Sequence, residues 1–549
     1  MAPERPDLGP AAHDAHYWET CSSELRIYCL ARTFVSAIQL EQELRIFESD
    51  PAVKLVWVLC SGSRFEHGLS EWFVSKKISV ISYEQAVRGR CDLVVTTSEW
   101  IDVTPFAPRH VIVIPHGAGF HKYVQDTDAD RLRLSGLARP EGLWTGQVTQ
   151  VVTHPNQERQ LAEACEHTVG RTALGGDSTF DLLLHSRGER AAYRKALGVS
   201  DDQRLITLGS TWGRESLFSL QFDLIGQLLA QLPFEQYRLA LFLHPAVWSF
   251  EGECEILRRL SRHIDAGLMV IPPAEGWHGT LLASDLLIGD NSSTSLYGAM
   301  LDIPLLLAAF SENVVPGTVM ARLGRTARFI NPGMDLRSQI ENEITHHDHT
   351  RAAKLVEQMI ARPGESGELL RELCYTKAGL PVPEDELPVH AAPMPTPKPQ
   401  GAHSFRFSYD VDADSVVAVD TYPAFFRKKL HRQGERLLVQ LGEPDLKLHN
   451  LASIVLDPEP MATCLARTRL TGMIDKFIGC CLAVVTCDDG SCEILVRDGT
   501  QFHVTCGGAL PVRVLACACY AVLVTQKELH GEVLVRTSTC EAAMTAVQI

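Results

Sequence analysis

Four short stretches of this chain carry residue types suited to handling a phosphate ester. The first reads GDNSS from Gly289 to Ser293, then Thr294 and a helix-compatible run. An apolar run ahead of it (Leu286 to Ile288) and another after Pro304 mark a strand, a polar turn and a helix N-terminus. First-turn N–H groups lack partners within their helix, and with the positive end of the helix dipole they seat anions; the hydroxyls of Ser292, Ser293 and Thr294 add donors. The same residue types also serve as ordinary helix caps. The other three stretches are His116-Gly117, Ser210 to Arg214 (STWGR) and His244-Pro245, each directly after an apolar run. An imidazole titrating near neutral pH can take a proton from a hydroxyl, and the Arg214 guanidinium and Thr211 hydroxyl can hold phosphate oxygens. Glu275-Gly276-Trp277, in a neighbouring loop, suits a nucleotide base or ribose and equally the start of a helix. Asp290, at the head of the serine turn, is grouped with Glu275 and Trp277 on the nucleotide side.

These residues need a frame, and the pattern around them supplies one. ELRIYCLA, KLVWVLCS, ISVISY, CDLVVTTS, HVIVIPHG and QVTQVVTHP are short apolar runs separated by helix-compatible segments. RLITLGSTW opens a second series of the same kind, continuing through RLALFLHP, GLMVIPP and the stretch that contains Asp290. Strands alternating with helices imply parallel sheets covered on both faces, and ligands of such sheets bind beyond the carboxyl ends of the strands. Each of the four stretches stands at such an end. The expected fold class is therefore α/β, a pair of Rossmann-like domains facing an interdomain cleft. The first spans residues 1–182 on the acceptor side and the second residues 183–380 on the nucleotide-donor side.

The remainder has a different grain. Residues 381–401 are dense in proline and read as an extended, semi-rigid linker. Residues 402–549 hold short strands with Asp-Gly hairpin signals at Asp489-Gly490 and Asp498-Gly499, a small β-rich accessory domain; PVRVLACACYAVLV within it suits either a helix or a buried strand. Nine of the 16 cysteines follow residue 460, without paired CxxC knuckles, and are expected as buried thiols. The segment THHDHT invites a metal reading, but no carboxylate or cysteine stands at ligand spacing, so it is expected as a solvated helix or loop, and no metal site is assigned.

Composition narrows the partners. A formal charge of −16 opposes general affinity for nucleic acid or an anionic bilayer. No run of 18 apolar residues and no basic-then-apolar leader is present, so the expectation is a cytoplasmic protein with no integral membrane segment; the oligomeric state stays open.

In order and spacing the four stretches resemble the CDP-glycerol glycerophosphotransferase family, the teichoic-acid primases and polymerases, of GT-B glycosyltransferase-like fold. That family carries an HG-T-P-x-K turn, a TPTWR turn, an HP dipeptide after a strand and a late DYSS turn. The matches here are His116-Gly117 with Lys122 displaced by one position, STWGR, His244-Pro245 and GDNSS; they fall within residues 110 to 330. Asn291 stands where the family has an aromatic residue, and Ala118-Gly119 replace Thr-Pro. The chain also looks like actinobacterial proteins of this type.

The resemblance implies a GT-B-like enzyme that moves a glycerophosphate-like or glycosyl group from a nucleotide-activated donor, CDP- or UDP-linked, to a hydroxyl acceptor. The donor is a substrate, and no cofactor is expected. His116 would be the base and His244 the partner of the transferred or leaving phosphate. Arg214, Thr211, Ser292, Ser293 and Thr294 would hold the donor phosphates, Glu275, Trp277 and Asp290 the nucleotide, and Gly117 with Lys122 the acceptor side. The lack of a basic amphipathic stretch favours a soluble acceptor. Two other readings stay open: a catalytically silent GT-B-like nucleotide-binding or scaffold protein, and a UDP-sugar 2-epimerase-like enzyme.

Overall fold

The structure is a computed structural model that describes residues 23–549 except 116, 126–131, 399–400, 413–415, 428–433, 509, 527, 530 and 538–539. Its first sheet contains β1 (Leu25–Ala31), β2 (Val53–Leu59), β3 (Val80–Ser82), β4 (Leu93–Thr96) and β5 (His110–Val113). After a two-stranded hairpin, β6 (Tyr123–Gln125) and β7 (Leu132–Leu134), come β8 (Val148–Val152) and β9 (Thr172–Leu174). The sheet is parallel in the order β3-β2-β1-β4-β5-β8-β9. Its strands are apolar on both faces because both are covered: in β1, Leu25, Ile27 and Cys29 enter one core while Tyr28 and Leu30 enter the other.

The second sheet repeats this plan with β10 (Arg204–Ser210), β11 (Tyr237–Leu243), β12 (Met269–Ile271), β13 (Leu286–Gly289), β14 (Leu305–Leu307) and β15 (Arg328–Phe329), in the order β12-β11-β10-β13-β14-β15. Leu287 and Leu305 point to one core, Leu286, Ile288 and Leu306 to the other. In both sheets the strand order reverses beside the first strand, at β1/β4 and at β10/β13. Such reversals open a crevice at the carboxyl edge.

The two units are tied together. Residues 121–123 of the first pair with residues 313–315 of the second: Tyr123 N–H donates to the Asn313 carbonyl and Val315 N–H to that of His121. Helix Ser366–Ala378, placed by sequence in the second unit, packs instead on the first, where Leu370, Cys374 and Tyr375 join the core of Leu25 and Phe47.

The third unit is a closed nine-stranded barrel, which gives the expected β-rich domain a definite form. Its strands are β16 (Ser404–Val411), β17 (Val417–Pro423), β18 (Arg436–Gln440), β19 (Ile454–Met461), β20 (Leu482–Cys487), β21 (Cys492–Val496), β22 (Gln501–Cys506), β23 (Gly531–Arg536) and β24 (Glu541–Gln548). The ambiguous PVRVLACACYAVLV segment is a helix, Val512–Gln526, buried continuously from Val514 to Val522 in one core with Phe405 and Phe407. That continuous burial explains why its sequence lacks a polar face. Cys492, Cys517 and Cys519 lie in this core, and burial raises their thiol pKa values. The fifteen described cysteines are all free; Cys254, Cys464 and Cys481 are exposed.

The barrel docks on the second unit through Glu235, whose carboxylate receives two Arg513 N–H groups at 2.6 Å each and the Thr421 hydroxyl at 2.9 Å. The proline-rich segment has no helix or strand over residues 381–398 and is held down by hydrogen bonds. Lys398 N–H donates to the Val270 carbonyl, Ala392 N–H to Ser186 Oγ, and Tyr193 hydroxyl to the Ala392 carbonyl. No described helix is long and apolar enough to cross a membrane.

Candidate active site

The cleft between the two α/β units encloses a cavity of about 210 Å³. One wall is built at the β10/β13 reversal. Asp290, fully buried, accepts from the Thr211 N–H at 2.8 Å, the Leu217 N–H at 3.0 Å and the Ser210 hydroxyl at 3.2 Å. Its carboxylate thus fixes the loop after β10 against the turn after β13. Burial raises its pKa, opposed by the N–H groups that favour its charged form.

Helix Ser293–Met300 starts in that turn, capped by Ser292, whose hydroxyl accepts the Ser295 N–H at 3.3 Å. The backbone N–H groups of Ser293 and Thr294 take no partner among the described residues, and both residues line the cavity. Asn291 is 2% exposed and spends its Oδ1 on the Ser311 N–H, while its Nδ2 is buried with no partner. A buried amide donor left unmade costs roughly 1–3 kcal/mol. Two helix-start N–H groups and one amide donor thus stand at one wall, donors of the kind that could hold an anion.

The opposite wall is the Gly-rich turn after β5. Gly117 and Gly119 have φ of 93° and 79°, a conformation natural to glycine. A Cβ on Gly117 would meet Ser293 Oγ at 2.5 Å, and one on Gly119 would meet Gln157 Nε2 at 2.5 Å. Ala118 N–H donates to Ser293 Oγ at 3.0 Å, joining the walls. Further along, Lys122 Nζ lies 4.6 Å from the Trp212 ring centroid. Burial lowers the Lys122 pKa, while Asp290 and Glu215 act to raise it.

The two described histidines of the cleft have complementary tautomers. His244 caps helix Pro245–Glu251, its Nδ1 accepting the Ala246 N–H at 3.1 Å, so its proton sits on Nε2 as a donor. His121 presents Nδ1 to the Ala118 carbonyl at 3.1 Å, which makes that nitrogen the donor. Burial pushes the His121 pKa down to about 4, so it is neutral at pH 7 and a weak base. Trp277 completes the lining, stacked on His278 at 3.8 Å between centroids.

Comparison with known proteins gives no matching family model and no matching curated relative. Among solved structures, the chain is similar to the wall teichoic acid polymerase TagF at 13% identity, with a TM-score of 0.44 over 65% of this chain and 90% of that one. It is also similar to a putative UDP-N-acetylglucosamine 2-epimerase from Listeria monocytogenes (14% identity, TM-score 0.41, 67% and 100% covered). A third likeness is to S. aureus MnaA in a co-structure with UDP (12%, 0.41, 66% and 99%).

Of the residues singled out by sequence, Gly117, Lys122, Thr211, His244, Trp277, Ser292, Ser293 and Thr294 line this one cavity. His116 lies outside the described residues; its neighbours Pro115 and Gly117 both line the cleft. Asp290 stands behind the wall as its anchor. Arg214 is exposed at the tip of the loop after β10, outside the lining residues. Glu275 is exposed and is occupied by the proline-rich segment: its carboxylate accepts the Thr396 hydroxyl at 2.7 Å, and its carbonyl the Thr396 N–H at 3.1 Å. His121 and Asn291 join the lining without having been assigned roles from sequence. For His121 the available signal was a second histidine in the same Gly-rich turn.

Proposed function

We propose that this protein transfers a glycerophosphate-like or glycosyl group from a nucleotide-activated donor to a hydroxyl acceptor. The observation that carries the reading is the anion seat formed by the Ser293 and Thr294 N–H groups and Asn291 Nδ2, facing a histidine-bearing turn across a narrow cleft. The donor phosphates rest on that seat, with His244 Nε2–H as a further donor. Donors fixed in advance where negative charge grows on the leaving group stabilise the transition state. Lys122 adds positive charge from the acceptor side. The acceptor oxygen attacks phosphorus for a glycerophosphate, or the anomeric carbon for a sugar. Its proton passes to His116, and the nucleotide departs with the electron pair of the broken bond. His121, with a pKa of about 4, is too weak a base for this step at neutral pH and instead holds the turn through the Ala118 carbonyl.

Thermal-shift and calorimetric titration with CDP-glycerol, UDP-sugars, CMP and UMP tests the donor site, because a ligand that binds only the folded state raises its melting temperature. Binding of one nucleotide class, followed by transfer to a hydroxyl acceptor in product analysis, is expected. No binding across the set overturns the site; binding with no turnover turns it into that of a nucleotide-binding protein, and conversion of a bound UDP-sugar into its 2-epimer makes it an epimerase.

A further inference from the structure

The histidine-rich segment THHDHT does not reach the cleft, but the fold brings it a carboxylate from outside the segment, while its own Asp348 is taken by Thr350. It joins helices Leu336–Thr345 and Thr350–Met359 and meets Asp302, just beyond the far end of the helix whose first turn forms the anion seat. His347 Nε2 lies 2.8 Å from one carboxylate oxygen of Asp302, and His349 Nδ1 lies 2.8 Å from the other. The two rings stand edge to face with centroids 4.8 Å apart. The ligand atoms of the three residues all fall within 4.8 Å of one another. The set is graded from inside to outside, with side-chain exposures of 3% for His347, 32% for Asp302 and 75% for His349.

We propose that Asp302, His347 and His349 bind a divalent transition-metal ion of the zinc class. Two imidazoles and one carboxylate are borderline nitrogen and hard oxygen donors, a set that suits Zn²⁺ and leaves coordination positions open. A tetrahedral ion with bonds of about 2.0–2.1 Å needs ligand atoms about 3.3 Å apart, so each 2.8 Å contact must open by about half an ångström. Asp302 is partly exposed and His349 largely so, which gives the set room to open. As ligands, His347 Nε2 and His349 Nδ1 are unprotonated, each ring carrying its proton on the other nitrogen. The open positions face a surface groove that includes His154, Arg187 and Glu357, where water or a small anion can complete the coordination. The ion would fasten the start of helix Thr350–Met359 to the end of helix Ser293–Met300, stabilising the folded chain by mass action.

The test uses the full chain, stripped with a chelator and titrated with Zn²⁺ by calorimetry and thermal shift, beside His349→Ala and Asp302→Asn. The first variant changes an exposed residue. The second keeps a residue type that accepts the positive φ of 65° at position 302. One Zn²⁺ per chain beyond that bound by either variant is expected, with affinity weakened roughly tenfold or more in each variant. A zinc-dependent rise in melting temperature should appear only in the unaltered chain. Co²⁺ in place of Zn²⁺ should give visible ligand-field bands without thiolate charge transfer. Equal zinc uptake and equal melting response in all three proteins overturns the site, as does a thiolate signature, which would assign the ion to the exposed cysteines.

Discussion

Ser293 Oγ accepts a hydrogen bond from the Ala118 backbone N–H at 3.0 Å, so the two α/β units touch at the floor of their shared cleft. The contact is possible because residue 117 has no side chain: a Cβ there would lie 2.5 Å from the same oxygen, at a φ of 93°. Gly117→Ala should therefore push the walls apart. The left-handed conformation alone costs about 1–2 kcal/mol for an L-residue. We expect a lower melting temperature and a larger loss of donor affinity than in Ser293→Ala, which keeps the turn conformation. Equal donor affinity in Gly117→Ala and the unaltered chain would show that the contact does not shape the site.

The histidines divide by role. His116→Ala should lower kcat by roughly 10²–10⁴ while leaving donor affinity unchanged, as expected for loss of a general base. His244→Ala should weaken donor binding as well as turnover, because its Nε2–H serves the phosphate. His121→Ala should cost less turnover than His116→Ala, since a neutral imidazole with a pKa of about 4 only holds the turn. Steady-state kinetics and calorimetry on the three variants check the assignment; full turnover in His116→Ala would remove that residue from the chemistry.

Asn291 offers a sharper test of the anion seat. Its Nδ2 is buried without a partner, and Leu in its place has a similar volume and no donor. If the amide serves a ligand, Asn291→Leu should change stability little, because removal of the unmet Nδ2 is offset by leaving the Ser311 N–H without its Oδ1 acceptor. Donor affinity should fall by roughly tenfold or more, the loss of a hydrogen bond to a charged group. A fall in stability with donor affinity intact would make Asn291 a structural residue held by Ser311.

Much of the frame was legible in the sequence, and the reason is local. Runs such as LRIYCLA are apolar on alternate and intervening positions alike, as a strand covered on both faces requires, and turn residues punctuate them. The serine turn was legible for the same reason, since strand, cap and helix adjoin within one segment. What escaped depends on partners far along the chain. Asp290 reads as a ligand residue until the Thr211 and Leu217 N–H groups are brought to it. Glu275 reads as a nucleotide contact until Thr396 occupies it, and Gly276 gives way to Pro395 because a Cβ there would lie 2.4 Å from the proline Cα. The carboxylate that meets THHDHT was not legible in the segment, because Asp302 arrives from the end of another helix.

The joint between the units also holds an ionisable cluster that sets a pH dependence. Glu43, at the end of helix Phe34–Glu43, accepts the Ser178 hydroxyl at 2.5 Å and Gln39 Nε2 at 2.6 Å. Burial pushes its pKa up to about 7, against the ordinary carboxylate value, and burial raises neighbouring Asp177 to about 6. The folded state therefore holds more protons on these groups than the unfolded chain above about pH 4.5. Their contribution is fully present below that pH and is lost as pH rises through 6 and 7. Buried His121 works oppositely: its folded pKa of about 4 lies below the unfolded value, so its contribution is lost as pH falls from about 6.5 to 4. Glu43→Gln should flatten the fall in stability between about pH 4.5 and 7 and raise stability at pH 8 by on the order of 1–3 kcal/mol. Urea unfolding across that range reads both effects, and an unchanged slope would show that Glu43 ionises normally.

The barrel's attachment can be separated from the chemistry of the cleft. Arg513 pairs with Glu235 through two 2.6 Å contacts, and the Glu235 side chain is 7% exposed, so removing the guanidinium strands a buried carboxylate. Breaking a buried pair from one side costs about 3–5 kcal/mol. Arg513→Ala should loosen the barrel from the second unit and expose the seam around Phe234 to limited proteolysis. Neither residue lines the cleft, so donor affinity measured on the remaining folded protein should stay unchanged. If the variant instead loses nucleotide binding in step with barrel release, the barrel is an energetic part of the site and must brace the second sheet on which the anion seat is built.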